Sequence, residues 1–244
     1  MSARAKRPTR KELRQPDEFV TATGKAVEWA KQNQTTVKYA GAALVAVLLA
    51  TVAVSWWVSS RNASANQQFY AAIELYKAEQ WAEAFDGFRA LADDLGSTDY
   101  GHLARLYAAR AALKLEKPAE AATLYREYLA GSTTPALEQL ARLNLARALE
   151  ATGDGAGARE QLEAAMKISG PAGPEVVLEF ARSEAANGAE DRARELYARY
   201  LEENPDGPGK DLARARLVAL GGTPPAAPRS GFPAGVNPLQ VQVR

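Results

Sequence analysis

Few residues in this chain have the types and spacing that chemistry requires. The sequence holds one histidine, His102, and no cysteine. A histidine can act as a general base or a metal ligand, but His102 has no second histidine and no obvious carboxylate partner, so we expect a structural or exposed side chain. The paired acids Asp93-Asp94 and Glu202-Glu203 are typical of helix ends and solvated faces. No glycine-rich phosphate loop follows a strand, since no strand is evident. We therefore predict no enzyme, no cofactor, no metal site and no small-molecule substrate.

The elements that would position a functional side chain form a repeat that begins at residue 66. Each of four units contains two helices joined by a tight turn, and an alanine recurs early in the second helix at intervals of 37, 37 and 35 residues. A large apolar residue follows four positions later, one helical turn down the same face. Another alanine recurs in each first helix. Because helices approach closely only where neither carries bulk, these alanines predict helix crossings. The second-helix alanines are Ala84, Ala121, Ala158 and Ala193, the large residues after them are Phe88, Tyr125, Leu162 and Tyr197, and the first-helix alanines are Ala72, Ala109, Ala146 and Ala181.

This pattern resembles the tetratricopeptide repeat, whose period is about 34 residues. The residues that close the fourth unit, 201–205, fit the same repeat. The sequence departs from it in longer connections at 96–98, 131–135 and 170–174. Pro135 and Pro174 are expected to begin new helices after two of them. The resemblance implies an all-α fold, an α-solenoid of about four helical pairs that a short helix over 211–220 would cap.

Stacked helical pairs present a concave surface lined mainly by their first helices. In register, those helices form an apolar column and, one turn further on, a column rich in arginine. Such columns suit an extended, partly apolar protein segment that carries carboxylates. The alternative is that the leucines form the core between repeats while the arginines pair with Glu150, Glu179 and similar neighbours. The lysine-and-asparagine carboxylate clamp of chaperone-docking members of the repeat family is not matched. The apolar column is Phe69, Leu106, Leu143 and Leu178, and the second column is Ile73, Arg110, Arg147 and Arg182.

An uncharged stretch of 22 residues, 39–60, precedes the repeats. A hydrocarbon core of roughly 30 Å requires about 20 apolar residues of helix. Tyr39 lies at one end and Trp56 and Trp57 at the other, where amphipathic rings favour the headgroup level. A buried core helix is the alternative, but a soluble helix of this length usually has a charged face. We predict one transmembrane helix in contact with lipid.

Charge is distributed unevenly around this stretch. Residues 1–38 hold nine Lys/Arg against four Asp/Glu, and Arg61 is the only cation between the stretch and Lys77. The positive-inside bias therefore predicts a cytoplasmic N-terminus and export of the residues after the span. Residues 62–220 hold 18 Lys/Arg against 25 Asp/Glu. A domain this acidic is not expected to bind nucleic acid.

The predicted layout has four parts: a basic cytoplasmic stub with a short amphipathic helix (1–38), the transmembrane helix (39–60), the repeat domain (61–220) and a Pro/Gly-rich disordered tail (221–244). Together with the local sequence at 16–20, this layout resembles the YfgM-like family, an inner-membrane accessory of the Sec translocon that associates with periplasmic chaperones. The resemblance implies a non-enzymatic scaffold in the bacterial inner membrane, with its C-terminal domain in the periplasm and membrane-complex and periplasmic proteins as partners. The alternative is a structural scaffold for outer-membrane, cell-wall or division machinery, although such proteins usually have a cleaved signal or a lipid-modified cysteine.

Overall fold

The computed structural model describes residues 18–225 of the 244-residue chain, with side chains from residue 23 onward. This part of the chain contains ten α-helices and no strand. The all-α class predicted from the sequence is confirmed. The start of the predicted basic stub, 1–17, and most of the predicted Pro/Gly-rich tail, 226–244, lie outside the described residues. The chain divides into two compact units between Ser60 and Arg61.

The first unit contains α1 (Glu18–Gln32) and the beginning of α2 (Gln34–Lys77). Asn33 separates the two helices, and its backbone nitrogen and its Nδ2 atom each donate a hydrogen bond of 2.9 Å to the carbonyl of Trp29. These bonds satisfy a carbonyl that the last turn of α1 would otherwise leave open. Every side chain from 39 to 60 is exposed. Within the described residues, α2 alone is long and apolar enough to cross a membrane, judged by its length and composition.

The apolar stretch does not end where the repeats begin. α2 is a single helix of 44 residues, and its last turns form the first helix of the first pair. Residues 61–66 contain neither proline nor glycine, so nothing in the backbone interrupts the helix there. The boundary that the sequence predicted between 60 and 61 falls within this helix.

From residue 61 to residue 225, the second unit consists of four helical pairs and one further helix. The first pair combines the end of α2 with α3, and each later pair takes the next two helices. α10 occupies the place of the predicted cap and packs against α9. The helices are α3 (Trp81–Leu95), α4 (Asp99–Lys114), α5 (Pro118–Leu129), α6 (Pro135–Ala151), α7 (Gly155–Met166), α8 (Gly173–Ala186), α9 (Glu190–Glu203) and α10 (Lys210–Ala219).

The repeated alanines form the helix crossings, as predicted. All eight are buried, and none is more than 2% exposed. The large residues that follow the second-helix alanines are buried as well. At the first crossing, a Cβ atom added to Gly87 would lie only 3.3 Å from the Cβ atom of Ala72, so α2 and α3 approach closely there. Pro135 and Pro174 lie in the first turns of α6 and α8, as expected.

Each pair turns through one residue with left-handed backbone geometry. Glu79, Glu116, Gly153 and Gly188 have φ angles of 59°, 57°, 85° and 78°. In all four turns the nitrogen of the next residue donates to the carbonyl five positions earlier, at 2.8–3.0 Å. This is the hydrogen bond of the Schellman motif, which ends a helix and reverses the chain. The left-handed residue always precedes the second-helix alanine by five positions, so the turn is part of the repeat.

Candidate partner-binding surface

The eight candidate residues lie on the first helices of the four pairs, α2, α4, α6 and α8, and burial divides them. Phe69, Leu106 and Leu143 are 5%, 1% and 0% exposed, whereas Leu178 is partly exposed. The first three side chains therefore form core between helices rather than an open surface, because packing of successive helices covers that face of α2, α4 and α6. This is the alternative that the sequence left open for the leucines. The accessible candidates are Leu178 and the second column, Ile73, Arg110, Arg147 and Arg182.

Two of the three arginines belong to a network of ion pairs between α6 and α8, which we call the ionic cluster (Arg147, Glu150, Glu175, Glu179 and Arg182). Arg147 Nη2 lies 2.8 Å from Glu175 Oε1 and 3.3 Å from Glu179 Oε2. Arg182 Nη2 lies 2.6 Å from Glu179 Oε1 and also contacts Glu150 Oε2. Arg147 on α6 thus pairs with two carboxylates on α8. Arg182 pairs with one carboxylate on α6 and with one on its own helix, α8.

The ionic cluster changes the acidity of its arginines. Burial lowers the pKa of Arg147, but the hydrogen bonds and charges of Glu175 and Glu179 outweigh it, so the pKa lies above its ordinary value. The pKa of Arg182 is raised in the same way, with Glu179 and Glu150 opposing the effect of burial. Both arginines therefore stay charged, and their charge is already compensated within the chain.

A second group of residues connects α2, α3 and α4 and contains rings instead of charges. We call it the aromatic cluster (Phe69, Tyr70, Tyr76, Trp81, Phe88, Tyr100 and Tyr107). Its neighbouring ring centroids lie 4.8–6.4 Å apart, and several pairs meet edge to face. These are the distances at which aromatic pairs attract each other beyond simple area burial. Of these seven residues only Phe69 belongs to the candidate site predicted from the sequence, although the gathering of aromatic residues between 69 and 107 is visible there.

Arg110, the third arginine of the predicted column, lies at the surface of the aromatic cluster. Its Cζ atom lies 5.4 Å from the ring centroid of Tyr107 and 5.8 Å from that of Tyr76, within the range of cation–π attraction. Among residues 23–225 it forms no ion pair with a carboxylate. The three arginines of the predicted column are therefore not equivalent.

Tyr125 on α5 is a buried residue whose pKa both Arg110 and Arg147 affect. Its side chain is fully buried, and its hydroxyl has no hydrogen-bond partner among the described side chains and backbone. Burial raises the pKa of Tyr125 well above its ordinary value, while the charges of Arg110 and Arg147 both lower it. The charges of both guanidinium groups therefore act on one buried phenol.

His102 lies apart from these clusters, beside a cavity of about 410 Å³ that is lined by α4, α5 and the loop before α6. Its ring stacks on Tyr128, with centroids 4.6 Å apart and planes 17° apart. Burial, and then the charge of Arg105, lower its pKa below the ordinary value. Its Nε2 atom has no hydrogen-bond partner in the described part of the chain. Residues 23–225 also hold no cluster of three or more histidines and acids that could bind a metal ion.

The sequence matches a known family. A family described as a tetratricopeptide repeat-like domain matches residues 27–169. The matched range begins within α1, includes the whole apolar stretch of α2 and ends after α7. The apolar stretch and the first three helical pairs are thus parts of one family pattern. Among curated proteins, no sequence matches this chain.

Solved structures show the same architecture at low sequence identity. The TPR-like repeats of a Podosopora anserina protein are 20% identical, with a TM-score of 0.54 over 64% of this chain and 84% of that one. The MamA protein is 13% identical, with a TM-score of 0.56 over 64% of this chain and 80% of that one. At such identities the likeness shows the fold, a TPR-like solenoid. Solenoids of this type typically act as non-enzymatic scaffolds for protein–protein interactions.

Proposed function

Because the chain belongs to the tetratricopeptide repeat-like domain family, we propose that it is a scaffold that binds other proteins through its repeat domain. A single transmembrane helix anchors this scaffold in a membrane. The observation that carries this proposal is the continuity of α2. One helix without a break combines 22 uncharged, exposed residues with the first helix of the repeats. Exposed apolar side chains over that length are costly in water and favourable in a hydrocarbon core.

We further propose that the repeat domain lies outside the cytoplasm of a bacterial cell, in the periplasm. The nine Lys/Arg of residues 1–38 support this orientation, since cationic flanks are retained on the cytoplasmic side. A phosphatase that is active only after export tests it. Fused after Arg61 it should be active, and fused after Lys31 it should be inactive. The reverse pattern would overturn the localisation.

The finer proposal is a role at the translocon, in protein export or in periplasmic chaperoning. The order of basic stub, apolar helix and acidic helical repeats supports it, because that order resembles the YfgM-like family. Crosslinking of the full chain in native membranes is the direct test. Subunits of the secretion channel or periplasmic chaperones should be recovered. Recovery of cell-wall, outer-membrane or division proteins instead would favour the structural-scaffold alternative.

A further inference from the structure

The surface of the aromatic cluster is partly open. Tyr70 is 53% exposed, and Ile73, Tyr76, Tyr100 and Tyr107 are partly exposed. Beneath them Phe69 and Phe88 are buried, so the exposed rings pack on side chains that are held within the core. Rings held in place by their neighbours lose little conformational freedom when another apolar side chain packs on them.

Arg110 adds an unused set of donors to this surface. A guanidinium group has five N–H donors and no acceptor, and it binds a carboxylate with two parallel hydrogen bonds. Within residues 23–225, Arg110 makes no side-chain hydrogen bond, whereas Arg147 and Arg182 are occupied by glutamates. The ring faces of Tyr76 and Tyr107 hold the group in position without occupying its N–H donors.

We infer that this surface, formed by Arg110 and the exposed rings of the aromatic cluster, binds an extended protein segment in which an apolar residue adjoins an aspartate or glutamate. The apolar side chain packs on the tyrosines, and the carboxylate accepts hydrogen bonds from Arg110. Charge complementarity selects this occupant, because a basic segment would meet an uncompensated cation. The inference rests on the proposed function only in taking another protein as the source of the segment.

Peptide binding to the full chain in lipid nanodiscs tests the inference. The probe is a short fluorescent peptide of glycine and serine that carries Leu-Asp-Leu at its centre, and two matched peptides carry Leu-Asn-Leu or Ser-Asp-Ser. The first peptide should bind the unmodified chain, and each of the others should bind about twofold to fivefold more weakly, the range for an exposed, screened contact. R110Q should bind the aspartate and asparagine peptides equally, and Y70A should weaken both.

Arg126 provides the matched control, because it is an exposed arginine on α5 of the same helical pair. R126Q should retain the preference for aspartate. The inference is overturned if the unmodified chain does not distinguish aspartate from asparagine, or if R110Q keeps that distinction. It is also overturned if R110Q changes the oligomeric state by light scattering, because a second copy would then be the occupant.

The two proposals can fail separately. An inverted phosphatase pattern would remove the proposed localisation and leave the peptide measurement intact. Envelope partners that crosslink equally well to R110Q would leave the scaffold in place and remove this surface as its main contact.

Discussion

The first two helical pairs are connected across their first helices by aromatic rings, whereas the last two are connected by ion pairs. In the first region, rings from α2 and α4 meet over Phe88 and hold Arg110 by their faces. In the second, Arg147 and Arg182 join α6 to α8 through Glu150, Glu175 and Glu179. Both regions rest on the same buried alanine crossings.

The difference shows how one backbone repeat can hold two kinds of surface. The arginines and glutamates of the ionic cluster already pair with each other at partly exposed positions, so the cluster offers little net charge to a partner. The aromatic cluster satisfies its cation only with ring faces, which leaves N–H donors available. We therefore expect the ionic cluster to contribute mainly to the stack and the aromatic cluster to contribute to both stability and binding.

The aromatic cluster should be the more costly of the two to break. Phe88 is fully buried, and its ring contacts Phe69, Tyr76 and Tyr107. F88A should lower the free energy of unfolding by about 3–5 kcal/mol, because it removes a large side chain and leaves a cavity among fixed rings. Denaturant titration of the full chain in detergent, followed by circular dichroism, measures the loss.

Tyr70 is the control for that experiment, since it belongs to the same cluster but is 53% exposed. Y70A should cost about 1 kcal/mol or less. If F88A costs no more than Y70A, the aromatic cluster is a surface feature and does not hold the first two pairs together.

The sequence was sufficient to predict the fold because the repeat is encoded in local spacing. Ala84, Ala121, Ala158 and Ala193 mark the crossings without any knowledge of the partners they touch. The surface was harder to predict. Burial of Leu106 and Leu143 depends on how far successive pairs overlap, and a single-sequence pattern does not contain that rotation.

The sequence marks the left-handed turns at only two of their four positions. Gly153 and Gly188 are a visible sign of left-handed geometry, whereas Glu79 and Glu116 adopt it without one. Helix formation on both sides of a turn can impose this backbone on a residue that does not prefer it. The first two helical pairs therefore turn through glutamates and the last two turn through glycines, which is a second difference between the two regions.

That second difference can be measured by placing alanine in both kinds of turn. G153A should lower the free energy of unfolding by about 1 kcal/mol, because φ is 85° and a Cβ atom there would meet nothing within 4 Å, so only backbone strain is added. E116A should change it little, since Glu116 already bears this strain. Equal losses in the two variants would show that Glu116 contributes contacts of its own.

The ionic cluster should be weaker and sensitive to salt. Arg147 is 33% exposed and Glu179 16% exposed at the side chain, so their ion pair is partly screened. R147Q should lower the free energy of unfolding by about 1 kcal/mol, and about 1 M salt should shrink that loss. R110Q, which removes a cation–π contact but no ion pair, should cost about half a kcal/mol with little dependence on salt. Equal salt dependence in both variants would contradict the division of the arginines.

The smallest expected effect is the loss of stability in acid that comes from His102. This residue lies in α4, the helix that also carries Arg110. Burial and then the charge of Arg105 lower its pKa below 6.5, while the Ser132 backbone and Asp99 oppose them. Folding therefore favours the neutral ring, so the stabilising contribution of His102 is complete above pH 6.5 and declines as the pH falls below it.

Because the chain has one histidine, its imidazole signal by nuclear magnetic resonance is unambiguous, and the midpoint of its titration should lie below pH 6.5. H102Q should remove that part of the acid sensitivity, while R147Q should leave the midpoint unchanged. A midpoint at or above 6.5 would mean that the ring is not buried beside Arg105 as the structure describes.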